Sequence, residues 1–146
     1  MILKFSLSDI KNSDISGYDL GHIEIGKDDK IITSANRSPD QAMMVFIAIV
    51  SLLDGLRKFL KDNSKSYKFV GTDSSFSITF SKSKRSNISM SAGNEFKDTV
   101  TKANLIKCVY DSCLQFYNAW GIKLSASDPV KEDIEAALSD FAELLK

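Results

Sequence analysis

Few residues of this chain are suited to catalysis, and its single histidine, His22, is the first of them. A Ser-His-Asp or Cys-His site would have to use this side chain as its general base. His22 lies on the polar side of a predicted strand, two residues before Glu24. That position is typical of an exposed or hydrogen-bonded histidine, and we favour this interpretation over a general base.

The two cysteines, Cys108 and Cys113, offer little more. On one helix they would point about 140° apart, since successive residues turn by about 100°, so no disulfide could join them there. Both fall within an apolar pattern, so we expect two buried free thiols and, from them, a cytoplasmic protein. Zinc sites of the usual kind need more Cys and His ligands than this chain has.

Carboxylates are the remaining candidates for acid–base or metal chemistry. They are grouped at Asp28-Asp29, at Glu132-Asp133 and across Asp9, Asp14 and Asp19. The first pair lies in a predicted turn, where Asp is favoured, and the second at a predicted helix start. The seven glycines form neither GxxxxGK[ST] nor GxGxxG, so no phosphate loop is present. We therefore expect no enzyme, no metal site and no cofactor.

Charge is balanced overall but unevenly distributed. The chain has 19 basic and 19 acidic residues, which argues for neither nucleic acid nor an anionic membrane as partner. Residues 1–55 carry 5 basic and 8 acidic groups, residues 56–107 carry 11 and 4, and residues 108–146 carry 3 and 7. The net charges are −3, +7 and −4. Such polarity suits a charged partner.

A basic run at residues 82–85 joins two predicted strands. It could contact phosphates, and some RNA-binding modules stack bases on aromatic residues at alternate strand positions. However, Phe76 and Phe80 share a face with Ile78, which favours a protein core over a stacking platform. We interpret the run as a solvated hairpin tip.

The element that must position all of these residues is a predicted helix over residues 38–60. Ala42 to Val50 is an unbroken apolar run, too short to cross a bilayer, which needs about 20 residues. Ser38 as N-cap, Pro39 at the first helical position and Gln41 match a helix start. A helix apolar all round is buried all round, so the other elements should surround it.

Those other elements alternate in hydropathy before this helix and after it. Three strands precede it, near residues 3–7, 18–25 and 30–33, and three follow, near 67–69, 75–81 and 87–92. The last two should present hydroxyl groups on one face. Two amphipathic helices close the chain, one after Thr101 and one opened by Asp128-Pro129. The sequence predicts one α+β domain (β-β-β-α-β-β-β-α-α), an antiparallel sheet of about five to six strands packed around a central buried helix.

The order of elements resembles a known group of proteins. A strand meander with the pattern Gly21, Ile23, Ile25 precedes one buried helix, and serine-rich strands and amphipathic helices follow. In this it resembles the small cytoplasmic immunity proteins encoded beside bacterial contact-dependent or other polymorphic toxins. The resemblance implies a noncatalytic inhibitor that binds one cognate toxin domain. From charge and hydropathy we expect neither a membrane nor a nucleic acid as a direct partner.

Two sets of charged residues are the candidate interface. The acidic set is Asp19, Glu24, Asp28 and Asp29, and the basic set is Lys82, Lys84 and Arg85. An acidic face would suit a nuclease toxin, whose active site attracts phosphates. The alternatives are a secretion chaperone that holds an effector segment and, less favoured, a nucleic-acid-binding module; an enzyme comes last.

Overall fold

The chain folds as an α+β protein with a helix at its centre, which confirms the predicted class and the approximate order of elements. The computed structural model describes residues 1–8 and 14–146. Asp9 and the start of the polar segment around it lie outside the described residues. In chain order the described elements are β1 (Ile2–Leu7), β2 (Leu20–Lys27), β3 (Lys30–Thr33), β4 (Met43–Met44), α1 (Val45–Lys61), β5 (Ser66–Val70), β6 (Ser77–Lys82), β7 (Asn87–Ala92), β8 (Phe96–Thr101), α2 (Lys102–Ala119) and α3 (Pro129–Ala142).

The strands form two antiparallel four-stranded sheets instead of a single sheet. In the first sheet β2 lies between β1 and β3 and also pairs with the short β4, while the second has the order β5-β6-β7-β8. The sequence predicts neither β4 nor β8. In β8 the residues on the inner face are Phe96, Asp98 and Val100, and the charged Asp98 interrupts the apolar alternation by which a strand is recognised.

Helix α1 begins at Val45, so the predicted start at residues 38–41 is wrong. Residues 43–44 instead pair with β2, and their backbone donors bond outside the segment. The Met44 amide donates to the Thr72 carbonyl at 3.0 Å, and the Val45 amide donates to the Asp19 carbonyl at 3.3 Å. Because these distant carbonyls satisfy the backbone amides at the start of α1, the capping pattern at residues 38–41 does not determine where the helix begins.

The remainder of α1 is the centre of the core, as predicted, except along one side. Phe46, Ile49 and Leu53 are fully buried, whereas Ser51 and Asp54 are exposed. The prediction of burial on every side is therefore wrong along that stripe. The buried side chains of both sheets and of all three helices form one cluster around α1.

Aromatic rings connect α1 to its neighbours. The Phe46 ring lies 5.1 Å from that of Phe116 on α2, which in turn lies 6.2 Å from the Phe5 ring on β1. Gly55 makes room for β5, because a Cβ at this position would clash with the Tyr67 hydroxyl. Aromatic pairs such as Phe46–Phe116 add about 0.5–1.5 kcal/mol of stability beyond the contribution of their buried area.

The two C-terminal helices begin where the sequence predicts. The Thr101 hydroxyl accepts a hydrogen bond from the Asn104 amide at 3.1 Å, and an Asp128 carboxylate oxygen accepts one from the Val130 amide at 3.0 Å. Each is an N-cap contact that satisfies an otherwise unpaired helical donor. Within the described ranges, no helix has both the length and the hydropathy that crossing a membrane requires.

Candidate partner-binding surface

Cationic side chains from four segments surround the C-terminal end of α1. We call this surface the basic end. Two members lie in the last turns of α1, one precedes β5, three lie at the β6–β7 connection and one begins α2. They are Lys58, Lys61, Lys65, Lys82, Lys84, Arg85 and Lys102.

Strand pairing and the end of the helix bring these residues together. The Lys82 amide donates to the Lys65 carbonyl at 3.0 Å, so the two flanks of the β5–β6 pair each supply a lysine. The Lys82 ammonium donates to the Asp62 carbonyl and lies 4.8 Å from the centre of the Phe59 ring. The ammonium of Lys102 lies 3.5 Å from the Leu60 carbonyl. Both cations therefore interact with the carbonyl end of α1, which the helix dipole makes negative.

The β6–β7 tip presents the other two residues of the predicted basic set. A 3-10 turn at Lys84–Ser86 leaves Lys84 and Arg85 exposed. Arg85 and Ser86 have φ angles of 59° and 62°, in the left-handed region that non-glycine residues occupy at a cost of about 1–3 kcal/mol each. Strained backbone of this kind is concentrated at functional sites, so the tip is a candidate contact.

Most side chains of the basic end form no ion pair inside the protein. Within residues 1–8 and 14–146, the side chains of Lys58, Lys61, Lys65, Lys84 and Arg85 make no hydrogen bond or salt bridge. The carboxylate of Asp62 lies among them and accepts a hydrogen bond from the Ser64 amide at 2.8 Å. That bond, with the nearby Lys82 and Lys58, lowers the pKa of the Asp62 carboxyl.

The predicted acidic set does not form one surface. Asp19 precedes β2 and Asp28 follows it, so the eight residues of the strand separate them by about 26 Å at roughly 3.3 Å per residue. Asp29 lies beside Asp28 in the same exposed turn. Glu24 lies in the middle of β2, directly opposite Lys4. The structure therefore brings together Lys82, Lys84 and Arg85 but separates the acidic candidates.

The outer side of the second sheet carries the hydroxyl groups that the alternation predicts. One cross-strand row reads Ser66–Ser81–Ser89–Thr99, and the next reads Lys68–Thr79–Ser91–Lys97. We call these two rows the hydroxyl face; a shallow cavity of about 420 Å³ opens on it. Phe76, Ile78 and Phe80 are buried. Phe76 and Phe80 are therefore not available as a platform on which bases could stack.

The lone histidine contacts a serine, but one that no substrate can reach. His22 Nδ1 lies 3.0 Å from the Ser34 hydroxyl, which also accepts a hydrogen bond from the Ile23 amide at 3.0 Å. Ser34 is fully buried. Because a nucleophile must meet its substrate, this pair is better explained as a structural hydrogen bond between β2 and the end of β3.

Both cysteines are free and lie on α2, as predicted, although only Cys113 is fully buried. Cys108 is half-buried, and its thiol lies 3.7 Å from the Met1 carbonyl, just before β1. Burial raises the pKa of both thiols. Since the thiolate is the nucleophile, both are poor candidates for covalent chemistry.

An acidic cluster at the α1–α3 contact is a feature that the sequence alone does not reveal. Although Asp54 is exposed as a residue, partial desolvation of its carboxyl, followed by the negative charges of Asp140 and Asp133, raises the pKa of that carboxyl. The nearby Arg57 partly offsets this effect. Asp133 and Asp140 are seven residues apart, the spacing of one helical face, but nothing local indicates that they face Asp54. In the described part of the chain no three His, Cys, Asp or Glu side chains are placed to hold a metal ion.

Comparisons with known proteins place the chain in no family. No protein-family model matches it, and neither the curated proteins nor the solved structures contain a match.

Proposed function

We propose that this chain is a noncatalytic, cytoplasmic immunity protein that binds and neutralises one cognate toxin domain. The observation that supports the proposal most is the basic end. Its exposed cations lie at the end of a deeply anchored helix and along a hairpin, and most of them have no internal partner. A backbone held on rigid elements loses little freedom when a partner binds.

The charge of the basic end specifies the complementary partner surface. We expect an acidic patch on the toxin domain, because complementary potentials accelerate encounter and exclude wrong partners. The hydroxyl face lies on the sheet that supplies Lys82, Lys84 and Arg85, and it offers donors and acceptors for a polar contact. A nucleic acid would also be attracted to these cations, but the aromatic residues of this sheet are in the core.

Co-expression tests the proposal directly. The toxin candidate is the C-terminal domain of a large exported protein, if one is encoded by the gene immediately upstream. We expect this chain to restore growth to cells that produce the domain and to co-purify with it. Growth inhibition that persists at equal expression, with no co-purification, would contradict the proposal. So would steeply salt-dependent binding of the isolated chain to single-stranded DNA or RNA, which indicates a nucleic-acid-binding module.

Charge reversal at the hairpin tip tests whether the basic end is the docking surface. In the double variant Lys84→Glu, Arg85→Glu, we expect association with the toxin domain to slow at least about tenfold at low salt, with a smaller effect at high salt. The matched control is Lys4→Glu, Lys30→Glu, which reverses two exposed lysines of the first sheet. Stopped-flow association rates at two ionic strengths are the measurement. Equal rates for both double variants would assign docking to another surface.

A further inference from the structure

The outer edge of β5 is an open sheet edge. Hydrogen bonds from the Lys82 amide to the Lys65 carbonyl and from the Gly71 amide to the Phe76 carbonyl direct the odd-numbered residues 65–71 towards β6. Backbone direction alternates along a strand. The amides and carbonyls of Ser66, Lys68 and Val70 therefore point away from the sheet.

These outward groups have no partner within the described residues. No backbone or side-chain hydrogen bond reaches the amides or carbonyls of residues 66, 68 and 70 from outside the sheet. All three residues are exposed, and the apolar Val70 keeps 47% of its surface accessible. A row of unpaired donors and acceptors of this kind is a template for another strand.

The outer edge of β1 is covered by α2. Two carbonyls at this edge receive side-chain donors from that helix: the Ser112 hydroxyl donates to the Leu3 carbonyl at 2.7 Å, and the Cys108 thiol lies 3.7 Å from the Met1 carbonyl. Such cover is a common protection for a sheet edge. The edge of β5 has no equivalent among the described residues.

The edges of β3 and β8 lie beside each other where the two sheets meet. The Lys27 ammonium lies 3.2 Å from a carboxylate oxygen of Asp98, and the Arg37 guanidinium lies 3.2 Å from one of Glu95. These pairs close the junction between the sheets. Of the outer strands of the two sheets, β5 alone has an edge with neither a covering helix nor a neighbouring sheet in the described residues.

The charge beside this edge selects its occupant. Lys65 and Lys68 flank it, and Lys68 begins the lysine-containing row of the hydroxyl face. A second copy of the chain is unfavourable, since the antiparallel register that overlaps residues 66–70 fully would place Lys68 opposite Lys68. An extended segment with acidic side chains would place opposite charges there instead.

We infer that the edge of β5 receives an extended acidic segment of the partner protein, which adds to the second sheet as a fifth strand. Backbone hydrogen bonds to residues 66, 68 and 70 supply affinity, and the pairing with Lys68 sets the register. Only the identity of the partner in this inference rests on the proposed function. The edge geometry is a property of this chain by itself.

Proline substitution at an outward-facing position tests the inference. Lys68→Pro removes an amide that does not bond to β6, so the existing sheet keeps its hydrogen bonds, whereas an added strand loses one. Lys68→Gln is the matched control, because it also removes the charge but keeps the amide. The probe is a fluorescein-labelled peptide, Thr-Glu-Thr-Glu-Val-Glu-Thr-Glu-Thr, and fluorescence anisotropy measures its dissociation constant.

We expect the wild-type chain to bind the peptide, Lys68→Gln to bind it more weakly, and Lys68→Pro to bind at least about fivefold more weakly than Lys68→Gln. Hydrogen exchange should slow on peptide addition at the amides of residues 66, 68 and 70 but not at residues 67 and 69. No binding to the wild-type chain at millimolar peptide, or equal affinity of the two variants, would overturn the inference. If Lys68→Pro does not fold by circular dichroism, Ser66→Pro with Ser66→Ala as control takes its place.

The toxin assay separates this inference from the proposed function. If the wild-type chain and Lys68→Pro rescue growth and bind the toxin domain equally well, the function stands and the edge inference is wrong. If peptide addition shows the expected exchange pattern but no toxin is neutralised, the edge inference stands and the proposed function is wrong.

Discussion

Helix α1 carries two clusters of like charge that differ in how the fold treats them. At its C-terminal end, Lys82 and Lys102 approach backbone carbonyls of the last turn and its exit. Near its middle, Asp54 faces Asp133 and Asp140 of α3, and burial and repulsion together raise the pKa of the Asp54 carboxyl. The first cluster agrees with the helix dipole, whereas the second gains nothing from it.

A cluster of like charges, such as the basic end, need not reduce the stability of the fold. Cations at the carbonyl end of a helix stabilise it, so the basic end can hold several of them and still present Lys84 and Arg85 to a partner. The carboxylates at the α1–α3 contact repel one another in a partly desolvated place. We therefore expect substitutions in the two clusters to change stability in opposite directions.

The largest effect is expected where α1 itself is anchored. Phe46→Ala removes a fully buried ring in contact with Phe116, and we expect the free energy of unfolding to fall by about 3–5 kcal/mol. Urea unfolding followed by circular dichroism measures this value. Ile47→Ala, at a half-buried neighbour, should cost much less. Similar losses for both variants would contradict the assignment of Phe46 as a principal anchor of α1.

A smaller loss is expected at the basic end. Lys82→Met keeps the aliphatic part of the side chain over Phe59 but removes the ammonium group from the Asp62 carbonyl, which should lower stability by about 0.3–1 kcal/mol. Lys84→Met, at the exposed tip, is the control and should be neutral. The same urea measurement applies. If Lys82→Met leaves the free energy of unfolding unchanged, the cation does not stabilise the end of α1. The contrast between the two clusters would then be wrong.

The smallest effect, with the opposite sign, is expected at the acidic cluster. Asp54→Asn should raise stability at pH 7, by less than about 0.5 kcal/mol, because the folded state disfavours the Asp54 carboxylate. The pKa of the Asp54 carboxyl is higher in the folded state than in the unfolded state. The wild-type chain therefore regains this stability as the pH falls through the folded-state pKa. The advantage of Asp54→Asn should therefore shrink between pH 7 and pH 3.

Melting temperatures measured at several pH values check this prediction. Asp29→Asn, which removes an exposed carboxylate in the β2–β3 turn, is the control measured in parallel. An advantage of Asp54→Asn that is constant across the range would mean that repulsion at the α1–α3 contact is not its cause.

Local sequence predicted those elements whose signals act within the element. The N-caps of α2 and α3 hydrogen-bond within their own first turns, so Thr101 and Asp128 were correct starts. The start of α1 was wrong because the Met44 and Val45 amides bond to Thr72 and Asp19, which are distant in sequence. Strand β8 was missed because Asp98, on its inner face, pairs with Lys27 of the first sheet.

The candidate surface also combines a part that local sequence predicted with a part that it did not. The run Lys82, Lys84, Arg85 could be read from the sequence, because adjacent charges in a turn stay together in any fold. Whether this run lies close to Lys58 and Lys102 depends on tertiary packing. The end of α1 packs against the β6–β7 connection and the start of α2, and this brings them together. The acidic candidates are spread apart for a related reason, since an eight-residue strand separates Asp19 from Asp28.

By itself, the sequence determined the α+β class, the central apolar helix, the two C-terminal helices and the alternation that gives the second sheet its hydroxyl face. Each depends on periodicity or on contacts within a few residues. The tertiary structure alone decided that the strands divide into two sheets, that cations gather at the end of α1 and that β5 has an open edge. Those features arise from contacts between segments far apart in the chain, which no local pattern encodes.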